Sequence, residues 1–117
     1  MQQLQIPPLN EGETYIGAIG NAKGEIYHLV LLPGDKEPAP HEKQMAWAQS
    51  IGGDLPNRVE QAILFAEHKN LFEERAYWSN QLDEDGWAWC QFFSYGVQDF
   101  YHTNDALRAR AVRRLPI

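Results

Sequence analysis

An α+β fold is predicted by the order in which the hydrophobic spacing changes along the chain. Two strand-like segments come first, two segments of helical spacing occupy the middle, and four more strand-like segments follow. No repeat, low-complexity tract or linker divides them, so residues 1–117 are read as a single domain. A chain of this length buries roughly two-thirds of its unfolded surface, enough for a core without covalent staples.

Residues 1–12 read as an extended N-terminal arm, because Pro7-Pro8 disfavours helix. Such an arm packs on its own domain or reaches a neighbouring subunit. Thr14–Ile19 and Glu25–Leu32 are the first two strands, joined through Gly20–Gly24, a segment rich in residues that tolerate positive φ. The second is apolar on both faces, with Ile26, Val30 and Leu32 on one and Tyr27, Leu29 and Leu31 on the other, as in a central strand. Pro33–Pro40 is a polar, proline-rich connection. A helix follows over His41–Ile51, with Met45, Ala48 and Ile51 as its inward stripe, and Gly52-Gly53 ends it. Asn57 is placed to cap a second helix, Arg58–His68, with Glu60 completing a capping box; Val59, Ala62, Ile63 and Ala66 share one face. The remaining strands are Ala76–Asn80, Trp87–Phe93, Val97–Tyr101 and Leu107–Leu115. Gln81–Gly86 is an acidic loop and Ser94–Gly96 a hairpin turn.

The charge excludes some functions. A net charge of −6 opposes bulk attraction to nucleic acid or an anionic membrane. Acidic residues cluster at Glu73, Glu74, Asp83, Glu84 and Asp85; Arg108, Arg110, Arg113 and Arg114 gather near the end, where they are expected to pair with carboxylates. Cys90 is the only cysteine, which rules out an internal disulfide framework and fits a reducing compartment. It lies mid-strand, where a small buried hydrophobe is expected and not a nucleophile. His28, His41, His68 and His102 have no metal-ligand spacing, and no cofactor is implied. Met1–Gln5 carries no basic residue and leads into no long apolar run, so neither a signal peptide nor a membrane span is read there.

Three ordered segments carry a family resemblance. They are Gly52-Gly53-Asp54-Leu55-Pro56-Asn57-Arg58-Val59-Glu60-Gln61-Ala62; Tyr77-Trp78-Ser79-Asn80 followed by Ala88-Trp89-Cys90-Gln91-Phe92; and Arg108-Ala109-Arg110-Ala111-Val112-Arg113-Arg114. Together they resemble domain-of-unknown-function family 1566, the Lcl C-terminal-like family, in the short form carried by bacteriophages and prophages. The resemblance implies a C-type-lectin-like fold: two helices on a twisted, mainly antiparallel sheet, with a second small sheet. It assigns Gly52, Gly53, Leu55, Pro56, Asn57, Glu60, Arg110 and Arg113 to the architecture. It also implies a non-enzymatic binding protein, with several relatives acting as trimers, so a homo-oligomer is expected. Calcium-dependent sugar binding is not implied, because Leu55-Pro56-Asn57 lacks the acidic residue of the lectin triplet. Nor is copper chemistry, since the formylglycine-generating relatives use paired cysteines.

The binding surface is sought in the second half. Tyr, Ser, Gly and Asn crowd Ser94–Asp105, the residue types that give rigid contact area with adaptable hydrogen bonds. The candidate contacts are Trp78, Asn80, Trp87, Tyr95, Gln98, Phe100, Tyr101, His102 and Asn104, facing a protein or small molecule. By alternation Trp87 and Trp89 share one face of their strand. The expected setting is the cytoplasm of a host cell and a host factor as partner. The alternative is a virion adhesin for a host receptor or glycan, and the second alternative an enzyme. An enzyme would require a concave pocket with converging polar groups.

Overall fold

A computed structural model describes residues 1–117 and arranges them in eight strands and two α-helices. The strands are β1 (Thr14–Gly20), β2 (Ile26–Leu31), β3 (Lys36–Ala39), β4 (Ala76–Leu82), β5 (Trp87–Phe92), β6 (Gln98–His102), β7 (Leu107–Ala109) and β8 (Val112–Pro116). The helices are α1 (His41–Ser50) and α2 (Arg58–His68), the latter running into a 3-10 turn at Lys69–Leu71. One sheet has the order β1-β2-β8 and the other β3-β7-β4-β5-β6. All named pairs are antiparallel except β4 with β7. The α+β expectation therefore holds at the level of two helices and two mostly antiparallel sheets.

The five-stranded sheet is covered on both faces, and this decides which aromatics are core. On one face Leu32, Ala48, Leu55, Trp78, Ala88, Cys90, Ala109 and Ala111 pack together with Met45 and Trp47 of α1. On the other, Tyr77 and Phe93 pack with Leu64 of α2 and with Ile16, Ile19, Leu29, Leu31 and Val112 of the small sheet. Tyr77 and Trp78 are neighbours that point to opposite faces, and both are buried. Cys90 lies within the first of these cores, where burial pushes its thiol up to about 12.

Several element predictions need correction. The proline-rich connection contains β3, a short edge strand that tolerates Pro38 because an edge needs no complete ladder. The single strand foreseen over Leu107–Leu115 is two strands in two sheets. They part at Arg110-Ala111, where the Arg110 guanidinium turns inward and donates to Leu71 O (2.7 Å) and Leu32 O (2.9 Å). Arg110 thus has carbonyl partners and not the carboxylate foreseen for it, and burial lowers its pKa. Ile51 is exposed at the end of α1, and the inward positions go to His41, Gln44 and Ala48. Gln44 can sit there because its Nε2 donates to Glu37 O (2.8 Å) and Leu107 O (2.9 Å), tying α1 to β3 and β7.

The face assignment of α2 is also reversed. Glu60, Gln61 and Leu64 are its buried residues, while Val59, Ala62 and Ala66 are exposed and Ile63 half-buried. The predicted capping box is present: Asn57 Oδ1 accepts from Glu60 N–H (2.8 Å) and Glu60 Oε1 from Asn57 N–H (2.8 Å). Gly52 ends α1 at φ +82°, and a Cβ on Gly53 would stand 2.7 Å from Val112 O. Leu55 and Pro56, assigned to the architecture, are buried, and Pro56 O accepts the Asn80 N–H at 2.9 Å.

The N-terminal arm forms no strand or helix and ends in a turn at Glu11-Gly12; a hollow lies between its Gln2, Leu4 and Ile6 and the Tyr15 and Ala18 of β1. Arg113 secures its end, pairing with Glu13 (2.8 Å) and reaching Pro8 O (3.4 Å). No helix is long and apolar enough to cross a membrane.

His41 gives the fold a pH dependence. Its Nε2 lies 2.8 Å from Ser79 O, which only a protonated Nε2 can satisfy, so the neutral ring carries its hydrogen there. Burial lowers its pKa below 6.5, while the carbonyl opposes the shift. The unfolded chain then binds the proton first, so stability is full above pH 6.5 and declines as pH falls towards the folded-state pKa. Urea midpoints between pH 7 and 5 should fall for the natural chain and fall less for His41→Gln, which keeps a donor without the titration. Equal slopes would refute the assignment.

Candidate functional site

The arginines of the last two strands are consumed in building the fold. Arg114 of β8 makes the densest network. Its Nε and Nη2 donate to Glu60 Oε2 and Oε1, both at 2.8 Å, Nη1 donates to Asp54 Oδ2 (2.8 Å), and Nη2 also reaches Leu55 O (3.1 Å). Glu60 is fully buried and further accepts the Tyr27 hydroxyl at 2.6 Å; burial and that carboxylate push the phenol up to about 12. The Glu60 carboxylate in turn raises the Arg114 pKa. Arg108 pairs with Asp35 (2.9 Å) and Glu73 (2.7 Å). Arg108, Arg113 and Arg114 thus meet the pairing expected of them. These contacts join elements far apart in sequence.

The open surface lies elsewhere, on the face of the five-stranded sheet that α2 covers only in part. In the β5–β6 register Trp87 stands opposite His102, Trp89 opposite Phe100 and Gln91 opposite Gln98. Alternation puts all six side chains on one face. Past the first residue of α2 the helix no longer shields them. Trp87 and Phe100 are exposed, at 39% and 43%. Their rings meet edge to face at 6.1 Å, Trp87 meets His102 at 5.5 Å, and Trp89 meets Phe100 at 5.2 Å. Arg58 lies over Trp89 with its guanidinium carbon 3.5 Å from the ring centroid.

A fixed amide network frames this ladder. Gln98 donates from Nε2 to Arg58 O (2.7 Å) and Gln91 Oε1 (3.1 Å), and its Oε1 accepts from Arg58 Nε (3.1 Å). Gln81 Oε1 accepts from Arg58 N–H at 2.7 Å. Alongside runs an open hollow of about 570 Å³ bounded by Val59, Ala62, Ile63 and Ala66 of α2 and by Gln81 and Gln98. It is the helix stripe that spacing alone assigned to the core. The groups whose ionisation burial displaces most, Tyr27, Tyr77 and Cys90, do not border it.

Of the predicted contacts, the structure gathers Trp87, Gln98, Phe100 and His102 on this one face. Asn104 is exposed in the next turn, its N–H donating to His102 Nδ1 at 3.2 Å. The rest separate. Trp78 is wholly buried, its indole N–H donating to Ala39 O (3.0 Å), and is corrected from contact residue to core. Asn80 is held to Asp54 at 3.0 Å within the Arg114 network. Tyr101, half-buried, and Tyr95, 77% exposed, lie around Phe92 at the opposite face of the sheet. Three members were missed: Trp89, Gln91 and Arg58. Trp89 was legible from its alternation with Trp87, but Arg58 arrives from another element and leaves no local signal. Neither a scan of family models nor a search of curated proteins finds a match for the chain.

Proposed function

We propose that the chain is a non-catalytic binding module of the C-type-lectin-like class, presenting the Trp87–Trp89–Phe100–His102 face to a partner. One observation carries this reading: exposed aromatic rings stand in a contiguous ladder whose neighbouring amides are already hydrogen-bonded. Rigid aromatics in a fixed frame lose little conformational freedom when a ligand covers them. The partner is a protein or small molecule, and the setting is a host cell entered by a phage or prophage. What supports the finer fold class is the meeting of the first and last strands, β1 and β8, on either side of β2, and the two helices on the larger sheet. A homo-oligomer is part of the proposal, tested by light scattering at high concentration, where a strict monomer removes it.

The decisive experiment is affinity purification from the host with the natural chain and with the Trp87→Ala/Phe100→Ala variant, both checked for equal melting temperature. The expected result is a partner retained by the first and lost by the second. A partner held equally by both would overturn the face. Recovery of the chain in purified virions, with glycan or receptor binding, would replace the host-factor role with the adhesin role.

A further inference from the structure

Three carboxylates occupy the turn at the open end of the aromatic ladder, and none has a cation of its own. Asp83, Glu84 and Asp85 form the turn that closes on Trp87: Asp83 N–H donates to Trp87 O (3.0 Å), and Trp87 N–H to Glu84 O (2.9 Å). A second turn lies against it, with Thr103 N–H donating to Gly86 O (2.9 Å) and Asp105 N–H to His102 O (2.8 Å). Asp99 accepts the Phe100 N–H through Oδ1 at 2.8 Å, but it stands opposite Cys90 in register and so belongs to the other face of the sheet. The side chains of Asp83, Glu84 and Asp85 are exposed, and none enters a salt bridge. By contrast Glu13, Asp35, Asp54, Glu60 and Glu73 are each paired with an arginine. The arginines are spent on the acids that hold the fold, and the acids of this turn are left uncompensated.

The rings point to the same ligand charge. An aromatic face is electron-rich and attracts a guanidinium or ammonium group. Arg58 already takes that position over Trp89, whereas no cation of the chain lies over Trp87 or Phe100, one step further along. We propose that this next step binds an arginine- or lysine-bearing extended segment of a partner protein. Its cationic head continues over Trp87 and Phe100 the stacking that Arg58 begins, with Asp83, Glu84 and Asp85 supplying the countercharge. The assignment rests on the reading of this face as the binding surface, and adds the charge class of what it binds. Phosphate-bearing ligands are disfavoured, since the local carboxylates and the net charge of −6 both repel them. Main-chain pairing at the β6 edge is hindered too, because the Phe100 amide is already engaged by Asp99. Side-chain capture is the mode that remains.

The test is a titration of the ¹⁵N-labelled full chain with an alternating Gly-Arg octapeptide and its Gly-Lys, Gly-Gln and Gly-Glu counterparts. The cationic peptides should move the Trp87 indole signal and the Phe100 and His102 amides, and the other two should not. Trp87→Ala, and separately Asp83→Asn/Glu84→Gln/Asp85→Asn, should each weaken the Gly-Arg peptide by about tenfold. These side chains are exposed, and an unchanged spectrum elsewhere verifies that both variants fold. Equal binding of the Gly-Gln peptide would overturn the proposal. So would Gly-Arg binding that survives Trp87→Ala, the mark of diffuse attraction to an acidic protein. A host partner lost with Trp87→Ala/Phe100→Ala yet kept at full strength by the neutralised turn would refute the cationic assignment and spare the binding face. A partner indifferent to both variants would refute both.

Discussion

Glu60→Ala is expected to destabilise the chain by about 3–5 kcal/mol, read as a fall in the urea unfolding midpoint. The carboxylate is fully buried, and three donors of two side chains, Arg114 Nε, Arg114 Nη2 and the Tyr27 hydroxyl, converge on it with the Asn57 amide. Removing it leaves Arg114 with Asp54, itself partly exposed, and leaves the Tyr27 hydroxyl and the α2 cap without an acceptor. The cost comes from stranding those groups, more than from the attraction of the pair itself. Glu60→Ala/Arg114→Met should therefore be less damaging than Glu60→Ala alone. A single-variant loss below about 1 kcal/mol would mean that the pair behaves as an exposed one.

Trp78→Ala should cost a similar amount, about 3–5 kcal/mol. Its ring is fully buried between α1 and the sheet, meeting His41 edge to face at 5.2 Å, and its indole N–H is the donor for Ala39 O. Trp78→Phe should recover much of the packing while still losing about 1–2 kcal/mol for the unpaired carbonyl. Trp87→Ala, on an exposed ring, should disturb stability far less than Trp78→Ala and binding far more. Should Trp87→Ala prove the more destabilising of the two, the separation of core from surface tryptophans would be wrong.

What could be read from the sequence follows a physical divide. Local chemistry was legible: the Asn57–Glu60 box, the glycine end of α1 and the bounds of α2 each follow from a few adjacent residues. The inward face of α2 was not, because counting apolar residues favours Val59, Ala62, Ile63 and Ala66. The helix instead buries Glu60 and Gln61, whose partners Arg114, Tyr27 and Tyr77 O lie on other strands. The division at Arg110 was hidden for the same reason, its carbonyl acceptors lying 39 and 78 residues away. Within the candidate site, alternation placed Trp87 on a face with Trp89 but did not show which face α2 leaves open. Trp78 was misplaced because a strand buried on both sides breaks the rule that one face meets solvent.

The Arg114 network also sets when this domain is able to form. Glu60 and Asp54 meet their arginine only across 54 and 60 residues of intervening chain. β2, the middle strand of the small sheet, lacks one neighbour until β8 has been made. During synthesis the first half therefore leaves the ribosome with an acid destined for burial but still uncompensated, and with one side of β2 open. Native structure has to wait until β8 has emerged, so a nascent chain halted before Arg114 should be held by chaperones or cleared by proteases.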